Sequence, residues 1–134
     1  MRTWSLAYQI VLDSSHLLPL GTIRLLGPRR SVPYRVLVDS GALYSVFHRT
    51  AADDAGIELT ATPNQDVQYG TARVPGWRVA CYLMLGERRI KADVVFVEEL
   101  AFSYGLLGRV DIFPQHNEVV FLEKVRPPRV EFRW

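Results

Sequence analysis

One carboxylate stands out by its setting. The run Tyr34-Arg35-Val36-Leu37-Val38-Asp39-Ser40-Gly41-Ala42 carries an apolar stretch to an aspartate, followed by a small hydroxyl residue and a glycine. A lone carboxylate at the buried end of a strand is costly unless hydrogen bonds or a shared charge compensate it. Gly41 lets the chain turn sharply, so that backbone N–H groups come close to Asp39, and Ser40 adds a hydroxyl. A carboxylate held in this way can exchange a proton with a water molecule. Asp-Ser-Gly is common in ordinary turns, and the tripeptide alone decides little. After it, Ala42-Leu43-Tyr44-Ser45-Val46-Phe47 resumes an apolar pattern with a second hydroxyl residue. Far downstream comes Gly105-Leu106-Leu107-Gly108-Arg109.

Other chemistries lack their residues. His16, His48 and His116 are far apart, none in His-Glu-x-x-His spacing, and Cys81 is the single cysteine. No metal site and no other cofactor are expected on that basis. There is no Gly-x-Ser-x-Gly nucleophile elbow, and Gly105-x-x-Gly108 lacks the lysine of a phosphate loop.

The elements that must position Asp39 read as short strands punctuated by Gly and Pro. Strands are expected over residues 4–12, 20–26, 34–39, 66–69, 78–85, 90–97, 118–123 and 130–134. Trp4, Leu6, Tyr8 and Ile10 alternate and should share one face. Val36-Leu37-Val38 is continuous, as in a strand buried on both sides. Leu26-Gly27-Pro28, Val74-Pro75-Gly76 and Leu85-Gly86-Glu87 read as breaks. Arg126-Pro127-Pro128 separates the last two strands. A helix is expected over residues 46–55 with Gly56 as its stop, and another turn or two over 110–115, limited by Pro114. The fold class is all-β, mainly antiparallel, with one or two short helices in a single domain spanning residues 1–134.

Size and charge narrow the partners. A chain of 134 residues with 49% hydrophobic and 11% aromatic content can build a conventional core. The net charge of +2 comes from 16 basic and 14 acidic residues. The arginines are scattered, so no basic face for nucleic acid is expected. No window approaches the roughly 20 apolar residues of a membrane span, and no leader pattern is visible at the N-terminus. The expected location is the cytoplasm, and Cys81 reads as a buried, inert thiol.

On the residues Asp39-Ser40-Gly41-Ala42 and Leu106-Leu107-Gly108-Arg109, in that order and spacing, the sequence resembles the retropepsin-like aspartic peptidases, particularly their small single-domain bacterial members. The resemblance in element order runs from about Leu20 to Glu123. It implies a closed β-barrel of the acid-protease half type, with Asp39 catalytic and with Ser40, Gly41 and Ala42 supporting the active-site loop. Leu106, Leu107 and Gly108 would pack behind that loop, with Arg109 continuing the motif. It also implies a glycine-containing hairpin flap over the cleft, for which Tyr69, Gly70 and Thr71 are the candidates. One position departs from the pattern. Viral members often carry a second Asp four residues after the catalytic one to pair with the later Arg, and here that residue is Leu43, which leaves Arg109 in need of another partner or exposed.

The resemblance implies an aspartic endopeptidase that hydrolyses peptide bonds with a water and two carboxylates sharing one proton. This chain has no second Asp-Ser/Thr-Gly. Asp13-Ser14-Ser15 lacks the glycine, and Asp53-Asp54 falls in the expected helix. The second carboxylate is therefore expected from Asp39 of another copy, in a C2 homodimer whose same patch meets itself. The competing reading is a catalytically inactive retropepsin-like module for dimerisation or peptide binding.

Overall fold

The computed structural model describes residues 1–10 and 16–134. Val11 and Leu12, the end of the first expected strand, and Asp13-Ser14-Ser15 lie outside the described residues. Among the described residues the fold is made of three sheets, of seven, three and two strands, and one α-helix. In chain order the elements are β1 (Thr3–Ala7), β2 (Gln9–Ile10), β3 (Leu17–Leu18), β4 (Leu20–Leu26), β5 (Ser31–Val38) and β6 (Ser45–His48). Then come α1 (Arg49–Ala55), β7 (Gln65–Tyr69), β8 (Ala72–Leu85), β9 (Arg88–Val97) and β10 (Gly105–Leu107). A 3-10 turn at Phe113–Gln115 precedes β11 (Glu118–Leu122) and β12 (Arg129–Arg133).

The largest sheet has the order β4-β5-β10-β6-β9-β8-β7, and β8 returns to pair with β4. That extra pairing makes a ring-like sheet, with the β7–β8 hairpin projecting from it. Most pairs are antiparallel, while β10 runs parallel to β5 and β6 runs parallel to β9. Side chains on successive residues point to opposite faces, and several strands here are covered on both. Val36, Val38, Phe47, Val94, Phe96 and Leu107 enter the main core. Their neighbours Val46, Val95, Val97 and Leu106 enter a second cluster, with Leu37, Ala42, Tyr44 and Tyr69 packed around it. Two-sided burial is why these strands read as continuous apolar runs and not as alternating ones.

Four local expectations change. The helix foreseen over 46–55 begins only at Arg49, because Val46 and Phe47 belong to β6 and pair with β10 and β9. His48 caps the helix, its Nδ1 accepting the Thr50 N–H at 3.1 Å, and Gly56 stops it at φ 81°. Val74-Pro75-Gly76 does not break a strand. Pro75 lies within β8, opposite Asp66 of β7 and just before the pairing of β8 with β9 begins at Gly76. Ile10 leaves the face shared by Leu6 and Tyr8 and is 60% exposed, since it pairs with Leu17 in a two-stranded ribbon. The segment over 110–115 yields only the 3-10 turn. Cys81 is buried, and burial, with a smaller push from Asp93, raises its thiol pKa to about 12.

Candidate active site

Asp39 follows the last residue of β5, where the strand must turn. Its N–H donates to the Leu107 carbonyl at 3.0 Å, and its carbonyl accepts the Ala42 N–H at 3.2 Å. The turn folds Gly41 back so that its N–H donates to Asp39 Oδ1 at 2.8 Å. A Cβ on Gly41 would sit 3.2 Å from that oxygen, so a side chain there would crowd the carboxylate. The other carboxylate oxygen has no hydrogen bond among the described residues and is available to a water or a partner.

The two sequence motifs meet backbone to backbone. Beyond the Asp39–Leu107 bond, Arg109 N–H donates to Ala42 O at 3.0 Å and Val110 N–H to Leu43 O at 2.8 Å. Gly108 N–H donates to Ser45 Oγ at 2.9 Å in a buried bond. Strand β10 lies between β5 and β6, with Leu106 opposite Leu37 on one side and Val46 on the other. At Gly108 a Cβ would lie 2.4 Å from Tyr44 O and 2.9 Å from Ser45 N. Only glycine allows that approach. The loop carrying Asp39 is therefore stitched to residues 107–110 over its whole length.

Asp39, Gly41 and Ala42 line a cleft of about 620 Å³, with Leu43, Tyr44, Val46, Leu106 and Phe102 as further walls. Residues 65–70, from β7 and the start of its turn, line the other side. Gly70 has φ 57° and open space around it, so the backbone conformation and not crowding calls for glycine. Tyr69 lines the cleft and packs on the second cluster; its hydroxyl is buried and has no hydrogen-bond partner among the described residues. Burial, with a smaller effect from Tyr34, pushes its pKa up to about 12, so the phenol stays neutral in ordinary buffers. Thr71 is exposed at the hairpin tip and is not part of the cleft wall.

Ser40 is exposed and makes no hydrogen bond among the described residues. The hydroxyl that braces the loop belongs to Ser45, a fully buried residue, which was visible in the sequence only as a second hydroxyl in an apolar run. The Arg109 guanidinium is exposed and pairs with no carboxylate among the described residues. Asp111 does not serve it. That residue has φ 67°, and its Oδ2 accepts the Asp93 N–H at 2.9 Å. Tyr44 and Phe102 were not singled out from the sequence, and both reach the cleft through loops whose course local pattern does not encode.

The family model for the aspartyl proteases matches residues 22–109, which takes in both motifs and the hairpin between them. The chain belongs to the aspartyl protease family. Among solved structures, this chain is similar to a retropepsin-like aspartic protease from Rickettsia conorii, with a TM-score of 0.66 and 12% identity. That match covers 97% of this chain and 98% of the other. It is also similar to the EIAV protease complexed with an inhibitor, with a TM-score of 0.58, 17% identity, and coverage of 79% and 93%. At these identities the likeness establishes a retropepsin-like fold. No curated protein matches the chain by sequence.

Proposed function

We infer that the protein is an aspartic endopeptidase that works as a homodimer, with Asp39 of each copy supplying half of a carboxylate dyad. The observation that carries this is the setting of Asp39. Its carboxylate is oriented by the Gly41 N–H, its loop is fixed by residues 107–110, and it opens into a cleft large enough for a peptide segment. One such carboxylate is half of the machinery. Two of them about 3 Å apart cannot both ionise easily, so the pair keeps one proton.

In this mechanism the ionised Asp39 takes a proton from a water as the water oxygen bonds to the scissile carbonyl carbon. The protonated Asp39 of the other copy gives its proton to the carbonyl oxygen, which yields a neutral gem-diol. Collapse of the diol re-forms the carbonyl, breaks the C–N bond and passes a proton to the leaving amine. The dyad ends with one proton, ready for another water. The β7–β8 hairpin acts as the flap, with Tyr69 and Gly70 against the substrate and Thr71 at its tip. Ser40 is exposed beside Asp39, and in this reading it meets its counterpart across the twofold axis.

The test is cleavage of a mixed peptide library across acidic to neutral pH, with and without a statine-type transition-state mimic. Asp39→Asn should abolish cleavage while leaving the melting temperature and the dimer intact. Retained turnover in that variant would end the proposal, and binding of peptides without turnover by the wild type would favour the inactive module. Specific activity should also fall on dilution below the dimer dissociation constant.

A further inference from the structure

Among the walls of the Asp39 cleft, Tyr44 is held both through its backbone and through its ring. The residues on either side of it are bonded to the 108–110 segment. The Leu43 carbonyl accepts the Val110 N–H at 2.8 Å, and Ser45 Oγ accepts the Gly108 N–H at 2.9 Å. The ring packs on the second core cluster. The Arg78 guanidinium lies over it, with Cζ 4.9 Å from the ring centroid, and Arg78 Nη1 donates to the Tyr44 hydroxyl at 3.5 Å. A cation over a tyrosine face is attracted by the ring quadrupole.

Arg78 is itself anchored. It pairs with Val95 across β8 and β9, so Asp93, two residues along β9, stands diagonally from it on the same face and within reach of a long side chain. Arg78 Nε donates to Asp93 Oδ2 at 2.8 Å, and the Arg78 N–H donates to Asn64 Oδ1 at 2.8 Å. The Asp93 N–H donates to Asp111 Oδ2 at 2.9 Å, and Asp111 directly follows Val110. A line of contacts thus runs from the Tyr44 ring through Arg78 and Asp93 back to the segment that pins the Asp39 loop. The two side chains of the ion pair are 38% and 29% exposed, and a pair at that exposure adds little stability. Its effect is geometric. One planar fork gives Nε to the carboxylate and Nη1 to the phenol, which a lysine ammonium could not do at once.

We propose that Arg78 is a positioning residue of the peptide cleft: anchored by Asp93, it clamps the Tyr44 ring as a rigid wall that selects a ring-bearing side chain of the bound peptide. Rings pack on one another in offset or edge-to-face arrangements, and a wall fixed in advance binds the matching ring without the cost of ordering itself. Tyr44 touches the peptide, and Arg78 acts only through it. The inference rests on the reading of this cleft as a peptide site and adds a side-chain preference to it.

Calorimetry with non-cleavable statine-type peptides tests the clamp, each side chain of the peptide being made benzyl or methyl in turn. The wild type should prefer benzyl at the position that packs on Tyr44. Arg78→Met should lower that preference about fivefold and leave the other positions unchanged. Arg78→Lys should do the same, since it keeps the charge but not the fork. Asp93→Asn, which retains the backbone bond to Asp111, should also lower the preference. The melting temperature of Arg78→Met should stay within about 3 °C of wild type. Tyr44→Leu should lose the preference, and adding Arg78→Met to it should change nothing further. The clamp is overturned by a full benzyl preference in Arg78→Met, by an equal loss at every position, or by an effect of Arg78→Met that persists in Tyr44→Leu. Peptide cleavage by the wild type would leave the peptidase reading standing in each of those cases. Benzyl-selective binding that depends on Arg78, with no cleavage of any peptide, would remove the peptidase reading and keep the clamp. A wild type that binds none of the peptides overturns both.

Discussion

Adding one methyl group at Gly108 probes the junction on which the Asp39 loop depends. The new Cβ would lie 2.4 Å from the Tyr44 carbonyl oxygen, 2.5 Å from its carbon and 2.9 Å from Ser45 N. All three are backbone atoms, so no side-chain rotation relieves the contact. Reaching ordinary van der Waals separation requires the two segments to part by about an ångström. That movement stretches the Gly108–Ser45 bond of 2.9 Å and the Arg109–Ala42 bond of 3.0 Å beyond useful length. Overpacking of this kind costs about 1–3 kcal/mol. A misplacement of about an ångström in a catalytic constellation can cost about 100-fold in rate. Gly108→Ala should therefore lower kcat/KM for a peptide substrate about 100-fold and reduce the melting temperature by several degrees. Leu106 and Leu107 stay in place, so the far-ultraviolet circular dichroism should be unchanged. A variant with wild-type kcat/KM and wild-type melting would refute the claim that the two backbones touch here and that their contact sets the position of Asp39.

Ser45→Ala leaves the buried Gly108 N–H unpaired and should cost about 1–3 kcal/mol in denaturant unfolding; an unchanged midpoint would mean that the hydroxyl carries no load. Tyr69→Phe removes a buried hydroxyl that has no partner among the described residues, so the free protein should melt at the same or a higher temperature. A clear drop would show that the hydroxyl is satisfied in the folded state. His116 is held neutral by burial, its pKa below the ordinary value, with its Nδ1–H donating to Ile112 O at 2.8 Å. The unfolded chain thus binds a proton more readily than the folded one. Stability from this residue is present above about pH 6.5 and is lost as pH falls through that range toward its lowered folded value. His116→Gln should flatten the dependence of melting temperature on pH between about pH 7 and pH 5; an unchanged slope would locate the acid sensitivity elsewhere.

How much of this was legible from sequence depended on how far each feature relied on distant partners. Val36-Leu37-Val38 announced a two-sided strand because both its faces are covered within one domain, and Gly86, at φ 64°, announced the turn between β8 and β9. The carboxylate and the Leu106-Leu107-Gly108 motif were both visible as local patterns. Their contact was implied by the family resemblance alone and by no local pattern, since it is made by backbone groups that every residue possesses. Val46 and Phe47 fell within the expected helix because no local signal marks where β6 ends; their strand character comes from pairing with β10 and β9. Ser45 was overlooked as a brace because a serine in an apolar run looks the same whether its hydroxyl is paired or not. The three-residue β10 was too short to register as a strand, and its place between β5 and β6 is set entirely by tertiary pairing.

That placement of β10 also orders events in time. During synthesis, β5 and the turn after it emerge early, while the strand that must slide between β5 and β6 comes after both long strands of the β8–β9 pair have been made. Until then Asp39 has neither the Leu107 carbonyl nor the Gly108 junction to hold it. Non-local insertions of this sort are slow, because loop closure precedes the contacts that reward it. The chain thus delays completion of the loop that carries Asp39 until nearly all of the surrounding fold exists, and a partly made copy carries the aspartate without its frame.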